Sequence, residues 1–72
     1  MRIAQIRDMT DGEIRTAIEN AREEMFNLRV QTEVGTLENY ARLREVRRDL
    51  ARLLTVLRER ELAAHLVSGR KE

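Results

Sequence analysis

The chain has 72 residues and a net charge of +1; 38% of the residues are charged and only 3% are aromatic. This length allows a single small domain, residues 1–72. The absence of cysteine excludes disulfides, thiolate nucleophiles and cysteine-based zinc sites. No stretch approaches the roughly 20 apolar residues of a membrane span, and residues 1–8 lack the apolar core of a signal peptide. We therefore expect a cytoplasmic, non-membrane protein, and the lack of proline predicts an almost wholly helical one.

The first half of the chain predicts a short helical segment followed by a long helix. Ile3 and Ile6 are spaced to share one face of one or two N-terminal turns. Thr10 and Glu13 form a capping-box pattern, which predicts that a long helix begins there and runs over about residues 10–34. Its apolar positions recur at alternating spacings of four and three, the pattern of two helices packed side by side. These positions are Ile14, Ile18, Ala21, Met25 and Leu28.

The second half predicts a second long helix that packs against the first. Gly35 is typical of a helix end, residues 35–38 are expected to form a short loop, and Asn39 is a suitable N-cap. The next helix is expected over about residues 39–66, stopped by Ser68 and Gly69, with residues 68–72 frayed. Its apolar seam consists of Leu43, Val46, Leu50, Leu53 and Leu57, with Leu54 beside it. Because a short loop forces neighbouring helices to lie antiparallel, the predicted fold is all-α: a long, coiled-coil-like antiparallel two-helix hairpin with a short N-terminal helix.

Arginines are segregated on the outward side of the second helix. Residues 1–36 hold five basic and seven acidic groups, whereas residues 37–72 hold nine basic and six acidic groups. On a helical wheel with about 100° per residue, five arginines lie opposite the seam or beside that opposite side. Thr55 lies between them. We call these five the arginine face: Arg44, Arg47, Arg48, Arg52 and Arg58.

Two interpretations of the arginine face compete. It is either a solvated surface with i, i+4 ion pairs or a binding surface for RNA or another polyanion. Thirteen of the fourteen basic residues are arginine, whose planar guanidinium suits phosphate recognition, so the pattern favours a polyanion. No aromatic residue lies between Arg44 and Arg58, so the expected binding is to phosphate and shape and does not read base sequence.

Phe26, Val30 and Val34 lie off the apolar seam of the first helix. Either the N-terminal turns with Ile3 and Ile6 cover them, or they are exposed and contact a partner. No nucleophile–base pair, metal cluster or glycine-rich phosphate loop is present in the sequence, so we predict no enzymatic activity and no cofactor.

Several stretches resemble the bacterial large-ribosomal-subunit protein family L-twenty-nine, and the resemblance extends to about Glu61. They are residues 6–13, residues 26–31 (Phe-Asn-Leu-Arg-Val-Gln), residues 35–39 and residues 42–57. The most specific is Val-Arg-Arg-Asp-Leu-Ala-Arg at residues 46–52.

The resemblance implies a structural constituent of the large subunit that binds ribosomal RNA beside the peptide exit tunnel. It also implies that the protein lies next to large-subunit protein L-twenty-three, close to where nascent-chain factors dock. The predicted RNA-binding residues are then the arginine face with Arg29 and Thr55, and the predicted partner-contact residues are Phe26 and Val30. The alternative is a free-standing helical hairpin that mediates protein association without nucleic acid.

Overall fold

The computed structural model describes residues 1–36 and 40–70, with side chains as far as residue 66. Over these residues it contains three helices and no strand: α1 (Ile3–Arg7), α2 (Asp11–Glu33) and α3 (Tyr40–Arg70). An ion pair joins Asp11, at the start of α2, to Arg60, towards the end of α3, so the two long helices lie antiparallel. The predicted all-α hairpin is confirmed, and it is elongated, with dimensions of 56 × 20 × 16 Å.

The ends of α2 follow from local chemistry. The backbone N–H of Glu13 donates to Thr10 Oγ1 at 3.1 Å, and the Thr10 hydroxyl donates to the Glu13 carboxylate at the same distance. At the other end Gly35 adopts a φ of +75°, and the N–H of Thr36 donates to the carbonyl of Gln31 at 2.9 Å. A left-handed residue followed by this hydrogen bond is a Schellman motif, so the role predicted for Gly35 is confirmed. The predicted cap Asn39, with Leu37 and Glu38, lies outside the described residues.

The core lies where all three helices meet. A cluster of buried apolar side chains is formed by Ile6, Ile14, Ile18, Leu50, Leu53 and Val56. Half-buried side chains, Met9 and Met25 among them, pack around it. The predicted seam of α2 is buried or half-buried throughout, so its 3.5-residue spacing identifies the face that packs on α3.

The seam of α3 differs from the prediction in its second half. Val56 is 2% exposed, Leu57 is only half-buried, and Leu54 is 39% exposed. Val56 lies about 100° around the helix from Leu57, and α1 packs on α3 and adds a second apolar surface. The fully buried Ile6 of α1 therefore shares a core cluster with Val56, and the half-buried Leu57 packs against that cluster.

The predicted end of the second helix is wrong, because α3 continues through Ser68 and Gly69 to Arg70. One glycine costs only about 1 kcal/mol in a helix relative to alanine, and no proline follows it to break the backbone pattern. Residues 61–70 of α3 therefore extend roughly 15 Å, at 1.5 Å per residue, past the contact of Arg60 with α2. The remainder of the expected frayed tail, residues 71–72, lies outside the described residues.

Candidate nucleic-acid interface

The arginine face lies on the outward side of α3. Four of its members, Arg44, Arg47, Arg48 and Arg58, are exposed, and the Arg52 side chain is 42% exposed. Leu50 and Leu53, on the opposite side of the same turns, are buried against α2. Burial of the leucines orients α3 and thereby turns the arginines towards solvent.

Few ion pairs neutralise this face. Within residues 1–36 and 40–66, Arg44, Arg47, Arg48 and Arg58 make no ion pair. Arg52 is the exception, since its guanidinium lies 3.5 Å from Asp49 Oδ1. The face therefore presents several uncompensated guanidinium groups, an arrangement that attracts polyanions.

Two further arginines of α3 make ion pairs within the fold instead, a role that sequence reasoning did not assign to them. Arg42 donates to both carboxylate oxygens of Glu24 on α2, at 2.5 and 2.9 Å. This hydrogen bond and the charge of Glu24 raise the pKa of Arg42 above its ordinary value. Arg60 donates to Asp11 Oδ1 at 2.7 Å and to the Arg7 carbonyl at 3.0 Å, which ties α3 to both other helices. Their sequence signal is a position on the flank of the seam, one helical turn from the buried Val46 and Val56.

The two other predicted RNA-binding residues, Arg29 and Thr55, do not belong to the arginine face. Arg29 is exposed but lies on α2, not on α3. Thr55 is exposed on α3, and its hydroxyl donates to the backbone carbonyl of Ala51 at 2.8 Å. Because the hydroxyl proton is already donated within the helix, Thr55 does not offer it to RNA. Its small side chain leaves room between the arginines.

An apolar row on α2 forms a separate surface. Phe26, Val30 and Val34 are 66%, 41% and 65% exposed, and we call them the phenylalanine patch. The interpretation in which the N-terminal turns cover this patch is wrong. Instead α1 packs on α3, where Ile6 joins the cluster that contains Ile14, near the start of α2. The patch, near the other end of α2, is left exposed.

The part of the chain that the structure describes holds neither a membrane-spanning helix nor a cluster of metal ligands. None of the three helices there is long and apolar enough to cross a membrane. No group of three or more metal-ligating side chains is brought together in residues 1–36 and 40–66.

The sequence is similar to one family of known proteins. The family model described as "Ribosomal L29 protein" matches residues 4–60. The large ribosomal subunit protein uL29 of Geobacillus stearothermophilus is 52% identical over 65 residues, which cover 90% of this chain and 98% of that protein. The protein of the same name from Tropheryma whipplei is 52% identical over 62 residues, 86% of this chain and 78% of that one. The one from Streptomyces griseus is 44% identical over 66 residues, 92% of this chain and 89% of that one.

Proposed function

Because this chain belongs to the ribosomal L29 protein family and is a structural protein of the large ribosomal subunit, we propose that it binds large-subunit ribosomal RNA through the arginine face. The observation that carries the proposal is the row of exposed guanidinium groups, which the seam of α3 turns away from the protein core. Arginine forms bidentate hydrogen bonds with phosphate. The proposed contact is therefore to the RNA backbone and its shape, without reading of base sequence.

We further propose a position for the protein in the subunit and a second contact surface. The protein sits in the cytoplasmic ribosome beside the peptide exit tunnel, as the resemblance implies, with the neighbouring large-subunit protein L-twenty-three and nascent-chain factors nearby. The phenylalanine patch is a protein contact in this arrangement, because its exposed apolar area lies on α2 whereas the arginine face lies on α3. Family membership favours this function over a free-standing hairpin that binds no nucleic acid.

Replacing Arg44 and Arg48 together by glutamine is expected to flatten the salt dependence of RNA binding. Each phosphate contact adds about 0.7–0.9 to the slope of log affinity against log salt concentration. The double variant should therefore lose roughly 1.4–1.8 from that slope. The measurement is binding of the purified full chain to protein-free large-subunit ribosomal RNA over a range of salt concentrations.

A charge-matched control distinguishes the face from net charge. Arg15 and Arg22 are exposed on α2, and replacing both by glutamine changes the net charge by the same amount. We expect this control to leave most of the slope intact. Equal losses in the two double variants would mean that affinity follows net charge, and the proposed interface would then be rejected.

Phe26→Ala is expected to leave the free chain stable but to weaken its incorporation into large subunits. Phe26 is 66% exposed and lies outside the core cluster, so the free energy of unfolding should change by less than about 0.5 kcal/mol. Incorporation is measured by competition between variant and unaltered chains during subunit assembly.

Leu66→Ala is the matched control for this variant, because Leu66 is 61% exposed and lies on α3, outside the phenylalanine patch. It should compete as well as the unaltered chain. If Phe26→Ala also competes equally well, the phenylalanine patch makes no contact in the subunit.

A further inference from the structure

The arginine face contains two surface hollows that share Arg44 and Arg48. The first, about 330 Å³, is lined only by Arg44, Arg47, Arg48 and Ala51, and we call it the basic hollow. The second, about 510 Å³, is lined by the same two shared arginines and also by Met1, Ala41, Glu45, Asp49 and Arg52. We call this one the mixed hollow. The two spaces thus differ in charge, because carboxylates border only the second.

The basic hollow concentrates positive charge within little more than one helical turn. Residue 44 is three positions from residue 47 and four from residue 48, and residue 51 is four positions from residue 47 and three from residue 48. Residues at these spacings are surface neighbours on a helix. Arg44 and Arg48 are about 6 Å apart along the helix axis, at 1.5 Å per residue. Ala51 contributes a single methyl group, so no long side chain fills the space between the guanidinium groups. Among the described residues none of the three arginines has a carboxylate partner, and the hollow is therefore open to an anion.

The mixed hollow is less suited to an anion. The Asp49 side chain is only 16% exposed, and its Oδ1 lies 3.5 Å from Arg52 and 3.2 Å from the amine of Met1. The Glu45 carboxylate lies 3.3 Å from Arg42. A phosphate placed here would meet two carboxylates, and like charges in proximity repel. Arg52, which is paired with Asp49, lines the mixed hollow and does not line the basic hollow.

We propose that the basic hollow is the phosphate-binding element of the arginine face, and that Arg52 acts mainly as the partner of Asp49. This inference rests on the proposed function and deepens it, because it assigns the backbone phosphates of RNA to three of the five arginines. The forked guanidinium groups of Arg44, Arg47 and Arg48 donate to the non-bridging phosphate oxygens. Arg52 contributes little while it is paired with Asp49.

Single glutamine variants of the full chain test this division on protein-free large-subunit ribosomal RNA. We expect Arg47→Gln and Arg48→Gln each to lower the slope of log affinity against log salt concentration by about 0.7–0.9, the value for one phosphate contact. Arg52→Gln should lower it by clearly less. In an Asp49→Asn background the carboxylate is gone, and Arg52→Gln should then lower the slope as much as Arg48→Gln does.

Glu45→Gln is the matched control for Asp49→Asn, since it removes the other carboxylate of the mixed hollow but leaves the pair of Asp49 and Arg52 in place. In the Glu45→Gln background, Arg52→Gln should change the slope of log affinity against log salt concentration only a little. Helix content, measured by circular dichroism, identifies any variant that has lost its fold.

Ala51→Leu tests the hollow without changing any charge. Leucine is a good helix former, but its side chain occupies the space between the three arginines, so binding should weaken severalfold. Ala63→Leu is the control, because Ala63 is exposed on α3 beyond the arginine face, and it should bind normally.

The outcomes separate this inference from the function on which it rests. If Arg52→Gln lowers the slope as much as Arg48→Gln in the otherwise unaltered chain, the division of the face is wrong and the proposed RNA interface stands. The division of the face is also overturned if Ala51→Leu binds RNA normally. It is overturned as well if Arg52→Gln leaves the slope unchanged in the Asp49→Asn background. If no arginine variant changes the slope while helix content is retained, the proposed RNA interface itself fails.

Discussion

Leu53→Ala is expected to lower the free energy of unfolding by about 2–5 kcal/mol, the range found when a buried leucine is truncated. Leu53 is 1% exposed and belongs to the cluster that joins all three helices. Truncation removes apolar contacts and leaves a cavity, because the surrounding helices relax only in part. Small domains are stable by roughly 5–15 kcal/mol, so this loss is a large share of the total.

The neighbouring Leu54 provides the control for this prediction. It is 39% exposed, and Leu54→Ala makes the same chemical change one position along the same helix. Denaturant unfolding followed by circular dichroism should show a clearly smaller loss for Leu54→Ala, less than about 1 kcal/mol as is usual for exposed sites. Equal losses would show that the seam of α3 does not distinguish these two positions.

Ile6→Ala is expected to release α1 from the hairpin and to cost about 2–5 kcal/mol. A helix of five residues is far too short to be stable by itself in water, so α1 depends on its contacts with α3. The Ile6 side chain is fully buried in the core cluster. The hydrogen bond from Arg60 to the Arg7 carbonyl is exposed and replaces a bond to water, so it cannot compensate for the loss of this burial.

Ile3→Ala is the control within the same helix, because Ile3 is 36% exposed. Amide hydrogen exchange should show that Ile6→Ala removes protection from α1, whereas Ile3→Ala changes it little. The combination of Ile6→Ala with Phe26→Ala should be additive, since the two residues are not in one cluster. Unchanged protection of α1 in Ile6→Ala would mean that Ile6 does not hold α1 on α3.

Much of this fold could be predicted from short stretches of sequence. The cap at Thr10 and Glu13, the left-handed Gly35 and the seam of α2 each depend on residues within a few positions of one another. The exposure of the arginine face follows from the same helical periodicity, because a helix that buries Leu50 and Leu53 must turn the opposite side outward. Local spacing was therefore enough to indicate both the hairpin and a candidate surface for RNA.

Other features were decided only by the tertiary structure. The docking of α1 brings Val56 into the core cluster, against which Leu57 is only half-buried, and leaves Phe26 exposed. The ion pairs of Arg42 with Glu24 and of Arg60 with Asp11 join residues 18 and 49 positions apart. Periodicity places a side chain on one face of its own helix, but it does not specify which distant surface meets that face. An arginine side chain is also long and flexible, so its role as an ion-pair partner within the fold or as an exposed cation depends on the carboxylates that folding brings within its reach.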